Sequence, residues 1–364
     1  LVIQSYNNYI INYLRFIIKK SIEVSIMGEK LVFYSKNDKG RTLSRSDRAK
    51  ELCLDDLRCE FLFSGEEDYS NSAKIRDGFE KNLEKMIDAE VIICNGELLS
   101  IEMLKKLPNL RHIQLLSAGF DGWDIDAIND LDINICGNSP AISNSVAEHT
   151  IALIMTLYKR LSQAVEGVKS GEWMKKAITG PYGNVHEITG KNIGIVGLGN
   201  IGSKVAKLLK GFDVNIFYND IKEFSNFEDE LNIKKLSFEE LLKISDIVSV
   251  HVPLSDETKS MFSAKEFGLM KKDSIFINTC RGPVHDEQAL INALKTDEIL
   301  GAALDVTEIE PISKNSELLK LDNCVVTPHL AGSSRESVDR RIMFAFENAN
   351  KTLNGIQPEN LIFS

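Results

Sequence analysis

Ile193-Gly194-Ile195-Val196-Gly197-Leu198-Gly199-Asn200-Ile201-Gly202 joins an apolar run to the helical pattern Val205, Ala206, Leu208, Leu209 through three glycines. Strand, glycine turn and helix in that order make a phosphate cradle: the first glycine permits the tight turn and the second lets backbone approach a pyrophosphate. The third lets the helix lie close to its strand. A glycine triplet alone is weak evidence, because a tight structural turn also explains one. Here Asp220 stands 18 residues beyond Gly202, at the end of the next apolar run, Val214–Tyr218. A carboxylate there accepts hydrogen bonds from an adenosine ribose and repels a 2′-phosphate, so the expected cofactor is NAD rather than NADP.

Outward from this unit, apolar runs alternate with helical stretches. C-terminal to it come Asp246–His251, Ser274–Asn278, Gly301–Leu304 and Cys324–Thr327, followed by a helix pattern from Glu336 to Leu353. N-terminal to it, Leu31–Tyr34, Cys59–Phe63, Glu90–Cys94, His112–Leu116 and Ile133–Cys136 form a second series. Such alternation predicts α/β architecture with parallel sheets. Between the two series, Ser143 is placed to cap a helix through about Arg160 whose apolar residues crowd most of its circumference, which implies burial at a domain or subunit interface.

The 364 residues allow two domains. Hydrophobic residues at 43% and charged residues at 26% are ordinary globular usage and exclude intrinsic disorder and fibrous structure. A net charge of −10 disfavours nucleic acid and anionic membrane surfaces as partners. The six cysteines include no CxxC pair and several sit in apolar runs, which reads as buried thiols in a reducing, cytoplasmic compartment without a structural metal. Residues 1–27 lack both a transmembrane run and the order of a secretory signal. Met27 directly precedes the first strand pattern, so 1–27 is expected to be a non-native or disordered extension; the alternative is an amphipathic helix used for association.

Chemistry gathers where the later strands end. Asn278-Thr279-Cys280-Arg281-Gly282 closes one, Leu304-Asp305-Val306 the next, Glu310-Pro311 follows in a loop, and Thr327-Pro328-His329 closes the last. Ligands of open parallel sheets bind outside the carboxyl ends of strands, so these residues can converge. Arg281 can grip an α-carboxylate and polarise the adjacent carbonyl, His329 can move the alcohol proton, and Glu310 can orient the imidazole. This is the equipment of hydride transfer with general acid/base help.

These motifs, together with Ser117-Ala118-Gly119-Phe120-Asp121, Val146-Ala147-Glu148-His149 and His251-Val252-Pro253-Leu254, resemble the D-isomer-specific 2-hydroxyacid dehydrogenase family over roughly Leu31 to Leu353. The resemblance implies two Rossmann-like or flavodoxin-like domains, the cofactor domain inserted into the substrate domain. Their expected bounds are 28–139 plus 330–364 for substrate and 140–329 for NAD, with a hinge near Ser139-Pro140 and Pro328. It puts Arg281, Glu310 and His329 at the catalytic positions, with Arg281 and His329 also touching substrate. The backbone N–H groups of Ala118 and Gly119 match the family's substrate-carboxylate loop. Cofactor contacts fall to Gly197, Gly199, Asn200, Ile201, Gly202, Asp220, Pro253, Thr258, Thr279, Cys280, Asp305, His329 and Gly332, with Asp305 at the position that bonds the nicotinamide carboxamide. His149 and His251 match positions with structural roles.

The resemblance also implies a homodimer, and Gly171-Glu172-Trp173 is similar to a segment whose Trp reaches a neighbour's site in glyoxylate and hydroxypyruvate reductases. Glu310, where formate dehydrogenases carry Gln, and Leu330-Ala331-Gly332, where D-lactate dehydrogenases place an aromatic, point to the glyoxylate, hydroxypyruvate and glycerate group. Two alternatives stay open. A short D-3-phosphoglycerate dehydrogenase would use cations such as Arg41, Arg45 and Arg48 for its phosphate, and an NADH-sensing corepressor-like binding protein would share the scaffold.

Overall fold

Leu31-Val32-Phe33-Tyr34-Ser35 is buried at every position, as a central parallel strand must be when both of its faces are covered. In this computed structural model, which describes residues 30–35, 45–53, 59–63, 72–95, 98–173 and 185–362, the strand is the second of five in its sheet. The expected extension at 1–27 and the candidate phosphate ligand Arg41 lie outside the described residues, as does the side chain of Arg45. The chain divides into two compact units: one runs to Asn138 and resumes at Val338, and the other is Ser139–Ser337.

The first unit contains β1 (Leu31–Ser35), α1 (Arg45–Leu52), β2 (Cys59–Phe63), α2 (Ser72–Met86), β3 (Val91–Asn95), α3 (Ile101–Leu104), β4 (His112–Leu115), α4 (Ile125–Asn129) and β5 (Asn134–Cys136). Its strands pair in parallel in the order β2-β1-β3-β4-β5. Alternation along β1 builds two cores. Leu31 and Phe33 pack with Ile342, Ala345, Phe346 and Ala349 of the returning C-terminal helix, while Val32 and Tyr34 pack with Phe79, Met86 and Ile113.

The second unit contains α5 (Ser139–Tyr158), α6 (Leu161–Lys169), β6 (Asn192–Val196), α7 (Asn200–Leu209), β7 (Asn215–Asn219), α8 (Ser225–Leu231), β8 (Lys234–Lys235), α9 (Phe238–Ile244), β9 (Ile247–Val250), α10 (Ala264–Leu269), β10 (Ile275–Asn278), α11 (Glu287–Lys295), β11 (Gly301–Leu304) and β12 (Cys324–Val326); α12 (Arg335–Leu353) then carries the chain into the first unit. The parallel sheet runs β12-β11-β10-β9-β6-β7-β8. Strand order therefore reverses at β6, with β7 on one side and β9 on the other, and the crevice beyond the carboxyl ends of this pair is where such sheets bind ligands.

Two expectations change. Ser143 does not cap its helix; α5 begins at Ser139, and the Ser143 hydroxyl donates to the Pro140 carbonyl from inside the first turns. Much of the crowded apolar surface of α5 is consumed inside its own unit, where Ala147, Leu153, Ile154 and Leu157 join Ile193, Val205 and Leu209 in one core, while Ala152 is exposed and Ile151 and Met155 are half-buried. The short strand β8 carries no apolar run, and its two lysines leave the sheet edge charged. Among the described residues, no helix is long and apolar enough to cross a membrane, no cluster of three or more His, Cys, Asp or Glu could hold a metal ion, and the six cysteines are free thiols.

Candidate active site

The glycine turn closes as a phosphate cradle requires. Gly197 has φ +90°, and a Cβ on it would lie 2.7 Å from the His251 carbonyl oxygen; a Cβ on Gly202 would lie 2.0 Å from the Gly197 oxygen. Only hydrogen atoms fit at these two contacts. At Gly199, by contrast, a Cβ would meet nothing, and no side chain caps the α7 N-terminus that follows. Open space at Gly199 before the positive end of a ten-residue helix suits a pyrophosphate. Asn200 is tied to the Ser139 hydroxyl at 2.9 Å, and Ile201 packs on the core beneath.

Asp220 is built into the glycine turn itself. Its Oδ2 accepts from the Leu198 N–H at 2.7 Å and its Oδ1 from the Lys222 N–H at 2.8 Å, so the same carboxylate fixes the middle of the glycine turn. Each oxygen retains a lone pair for a ligand. In the loop after β9, the Thr258 hydroxyl donates to the Pro253 carbonyl at 2.7 Å and accepts from the Ser255 N–H at 2.8 Å, holding Pro253 in a closed turn.

The catalytic candidates stand on loops after β10, β11 and β12. His329 Nδ1 lies 2.7 Å from Glu310 Oε2, and the other Glu310 oxygen accepts from the Thr307 N–H at 3.1 Å. A carboxylate only accepts, so Nδ1 carries the proton and Nε2 is the nitrogen left to face a substrate. The pair is open to solvent, the side chains 48% and 38% exposed, as groups that must meet a small molecule should be. His329 adopts φ +50°, a left-handed conformation that costs an ordinary residue roughly 1–2 kcal/mol. The Asp305 carbonyl accepts its N–H at 2.8 Å, and the Asp305 carboxylate accepts the next two, from Leu330 at 3.0 Å and Ala331 at 2.8 Å.

Arg281 follows β10 with its Nη1 donating to the Cys280 carbonyl at 2.7 Å. The glycine after it brings the loops together: a Cβ on Gly282 would lie 1.9 Å from the Thr307 oxygen, so the Arg281 loop rests on the backbone that leads to Glu310. Cys280 is no nucleophile, since burial pushes its thiol up to about 11 and its Sγ lies 3.1 Å from Asn278 Oδ1. Thr279 is buried with its hydroxyl on Thr150 at 3.1 Å, and the Gly332 carbonyl accepts from Ser337. Asp305 is 1% exposed, with its carboxylate engaged in the His329 turn. Ala118 and Gly119 belong to the first unit, in the loop after β4, where the Ser117 hydroxyl donates to the Gly119 carbonyl at 2.7 Å. Sequence reasoning assigns no individual role to Thr307, Thr327 or Gly282, although Gly282 and Thr327 lie within quoted motifs and Thr307 adjoins one.

Three other histidines serve the framework. Desolvation pushes His251 down to about 3 and His285 and His112 down to about 4, and hydrogen bonds tie them to Ser249, Asn278 and Thr352 respectively. Neutral and enclosed, they are unsuited to proton transfer near neutral pH.

Residues 151–331 match the model of the D-isomer specific 2-hydroxyacid dehydrogenase NAD-binding domain. A glyoxylate reductase of Thermofilum pendens is 38% identical over 289 residues, 78% of this chain and 84% of that protein. The chain belongs to the D-isomer-specific 2-hydroxyacid dehydrogenase family. A glyoxylate/hydroxypyruvate reductase B of Cronobacter sakazakii is 37% identical over 277 residues, 76% of this chain and 85% of that protein. Among solved structures, a D-lactate dehydrogenase from Aquifex aeolicus complexed with NAD and lactic acid is similar at 29% identity and a TM-score of 0.70, covering 89% of this chain and 96% of that one. As a member of the family the protein is an NAD-dependent oxidoreductase of 2-hydroxyacids, and the uncapped N-terminus of α7 with Asp220 beside it fits that dinucleotide.

Proposed function

We propose that this dehydrogenase reduces a small 2-oxoacid of the glyoxylate and hydroxypyruvate class to the D-2-hydroxyacid, with Arg281, Glu310 and His329 as its catalytic residues. The observation that carries the reading is the exposed His329 Nδ1–Glu310 Oε2 pair, 2.7 Å apart, which leaves Nε2 free of Glu310 and available to exchange a proton with substrate. NADH, when bound, supplies hydride to the carbonyl carbon. Arg281 holds the substrate carboxylate and polarises the carbonyl. In its doubly protonated form the His329 ring would give its Nε2 proton to the carbonyl oxygen as charge develops there, leaving the neutral Nδ1–H tautomer that Glu310 orients.

Leu330 after the catalytic histidine, and relatives named as glyoxylate and hydroxypyruvate reductases, favour a small substrate. The phosphoglycerate alternative is weakened at Arg48, whose guanidinium is committed to both Asp339 oxygens at 2.7 and 2.8 Å and to Glu51 at 2.6 Å. A 3-phosphate would have to displace a bidentate carboxylate there. The free thiols suit a cytoplasmic setting. For the cofactor, Asp220→Ala is expected to lower the NADH over NADPH ratio of kcat/KM by about tenfold, because roughly 1–2 kcal/mol of like-charge repulsion goes with the carboxylate. Steady-state rates with each nucleotide check this, and an unaltered ratio would reduce Asp220 to a turn residue.

We further propose a homodimer. The exposed Leu161, Val165 and Val168 recur at helical spacing on α6, and Trp173, 82% exposed, follows a few residues after the helix ends. A second copy of the chain is the partner that family membership favours. Light scattering on the purified chain should give twice the monomer mass, and Trp173→Ala should weaken association; a strictly monomeric parent would end this reading.

The substrate assignment is tested by NADH oxidation with glyoxylate, hydroxypyruvate, pyruvate, 3-phosphohydroxypyruvate and a branched 2-oxoacid. The highest kcat/KM is expected for glyoxylate or hydroxypyruvate. A preference for the phosphorylated acid would favour the phosphoglycerate reading, and tight NADH binding without turnover on any would favour a sensor.

A further inference from the structure

Behind the His329 turn lie two side chains to which the reaction above gives no part. Thr327 Oγ1 is 2.5 Å from Asp305 Oδ1, and His149 Nε2, on α5, is 3.1 Å from Thr327 Oγ1 and 3.5 Å from Asp305 Oδ1. Burial pushes the Asp305 carboxyl up, but the bonds from His149, Thr327, Ala331 and Leu330 outweigh it and hold the group below the usual carboxylate range. An ionised Asp305 can only accept, so the Thr327 hydroxyl donates to it. The lone pair of that hydroxyl is then left to accept from a proton on His149 Nε2. Every proton in the chain His149, Thr327, Asp305 is thereby ordered toward the carboxylate. Asp305 in turn accepts three consecutive backbone N–H groups, that of His329 at its carbonyl and those of Leu330 and Ala331 at its carboxylate, and so sets the direction in which the His329 ring leaves the chain.

We infer that Thr327 and His149 are positioning residues of the reaction, fixing the Asp305 carboxylate and through it the left-handed turn that presents His329 to the substrate. The inference rests on the reductase reading for its kinetic consequence but not for its geometry. The Thr327 hydroxyl is the natural place to cut the chain, because Val has nearly the same shape and no hydrogen bond to give. In the parent background Thr327→Val should lower kcat about tenfold, with the KM for the oxoacid and the dissociation constant for NADH within about twofold of the parent. Thr327→Ser, which restores the hydroxyl without the methyl, should recover most of the rate, and His149→Leu should lose rate in the same kcat-only manner. A misplaced but intact imidazole gives this split; loosened packing would move KM, nucleotide affinity and melting temperature together and would not be rescued by Ser.

A second readout needs neither substrate nor cofactor. In the protein labelled with 15N-histidine, the His149 ring should show the tautomer protonated at Nε2, and Thr327→Val should displace the ring resonances of both His149 and His329, the latter identified by their loss in His329→Ala. Unmoved His329 resonances, a kcat within twofold of the parent, or a loss that Ser fails to restore would each overturn the inference. Should Thr327→Val not fold, the Ser and His149→Leu variants carry the same comparison. Should the parent turn over no oxoacid, the reductase reading fails while the resonance test still decides the positioning role.

Discussion

Replacement of His329 by Ala is expected to lower kcat by about 10²–10⁴-fold, the usual worth of a positioned general acid, while NADH affinity stays unchanged. The size follows from the geometry. Glu310 Oε2 holds Nδ1 at 2.7 Å, so the ring has one nitrogen left, the one that the proposed mechanism turns to the substrate oxygen. The exposure of the pair means that water can reach an emptied site, but water there is neither oriented by Glu310 nor matched to the developing alkoxide. Glu310→Gln should show a smaller loss, since an amide still bonds Nδ1 but cannot offset a positive ring. Stopped-flow and steady-state rates on the His329→Ala enzyme make the check, and an unchanged rate would remove His329 from the mechanism.

The second large effect is expected at Arg281. Changing it to Ala should reduce kcat/KM for the oxoacid by about 10²–10³-fold, raising KM and lowering kcat together, because the guanidinium both anchors the carboxylate and stabilises charge on the carbonyl oxygen. Lys should restore only part of this, having a point charge where a planar fork is needed. The Arg281 loop is rigidly seated by Gly282 against Thr307, so a smaller side chain has no route to compensate by moving closer. If the variant changed only the affinity for NADH, Arg281 would belong to the cofactor site and not to the substrate.

Sequence carried the parallel strands well because buried strands of such sheets are continuous apolar runs; Cys59–Phe63, Asn192–Val196 and Gly301–Leu304 coincide with the observed strands. It failed at β8, where Lys234-Lys235 forms a two-residue edge with no apolar signal. It also misjudged α5, whose apolar circumference spoke of burial but not of which surface does the burying. The site was legible where chemistry demands a residue type: glycines at the turn, and Arg281, Glu310 and His329 on neighbouring loops. What could not be read was who holds whom. Asp220 reads as a ribose ligand and proves also to be the brace of Leu198; Asp305 reads as a cofactor ligand and proves to gather three N–H groups of the His329 turn. Contacts of this kind join residues 22 to 178 positions apart, and no local spacing encodes them.

The most direct test is the incubation of the purified chain with NADH and hydroxypyruvate, following nucleotide oxidation and resolving the product by chiral chromatography. One D-glycerate formed for each NADH consumed is the expected result. NADH that binds but is not consumed, or a product of the L configuration, would contradict the reductase assigned to this fold.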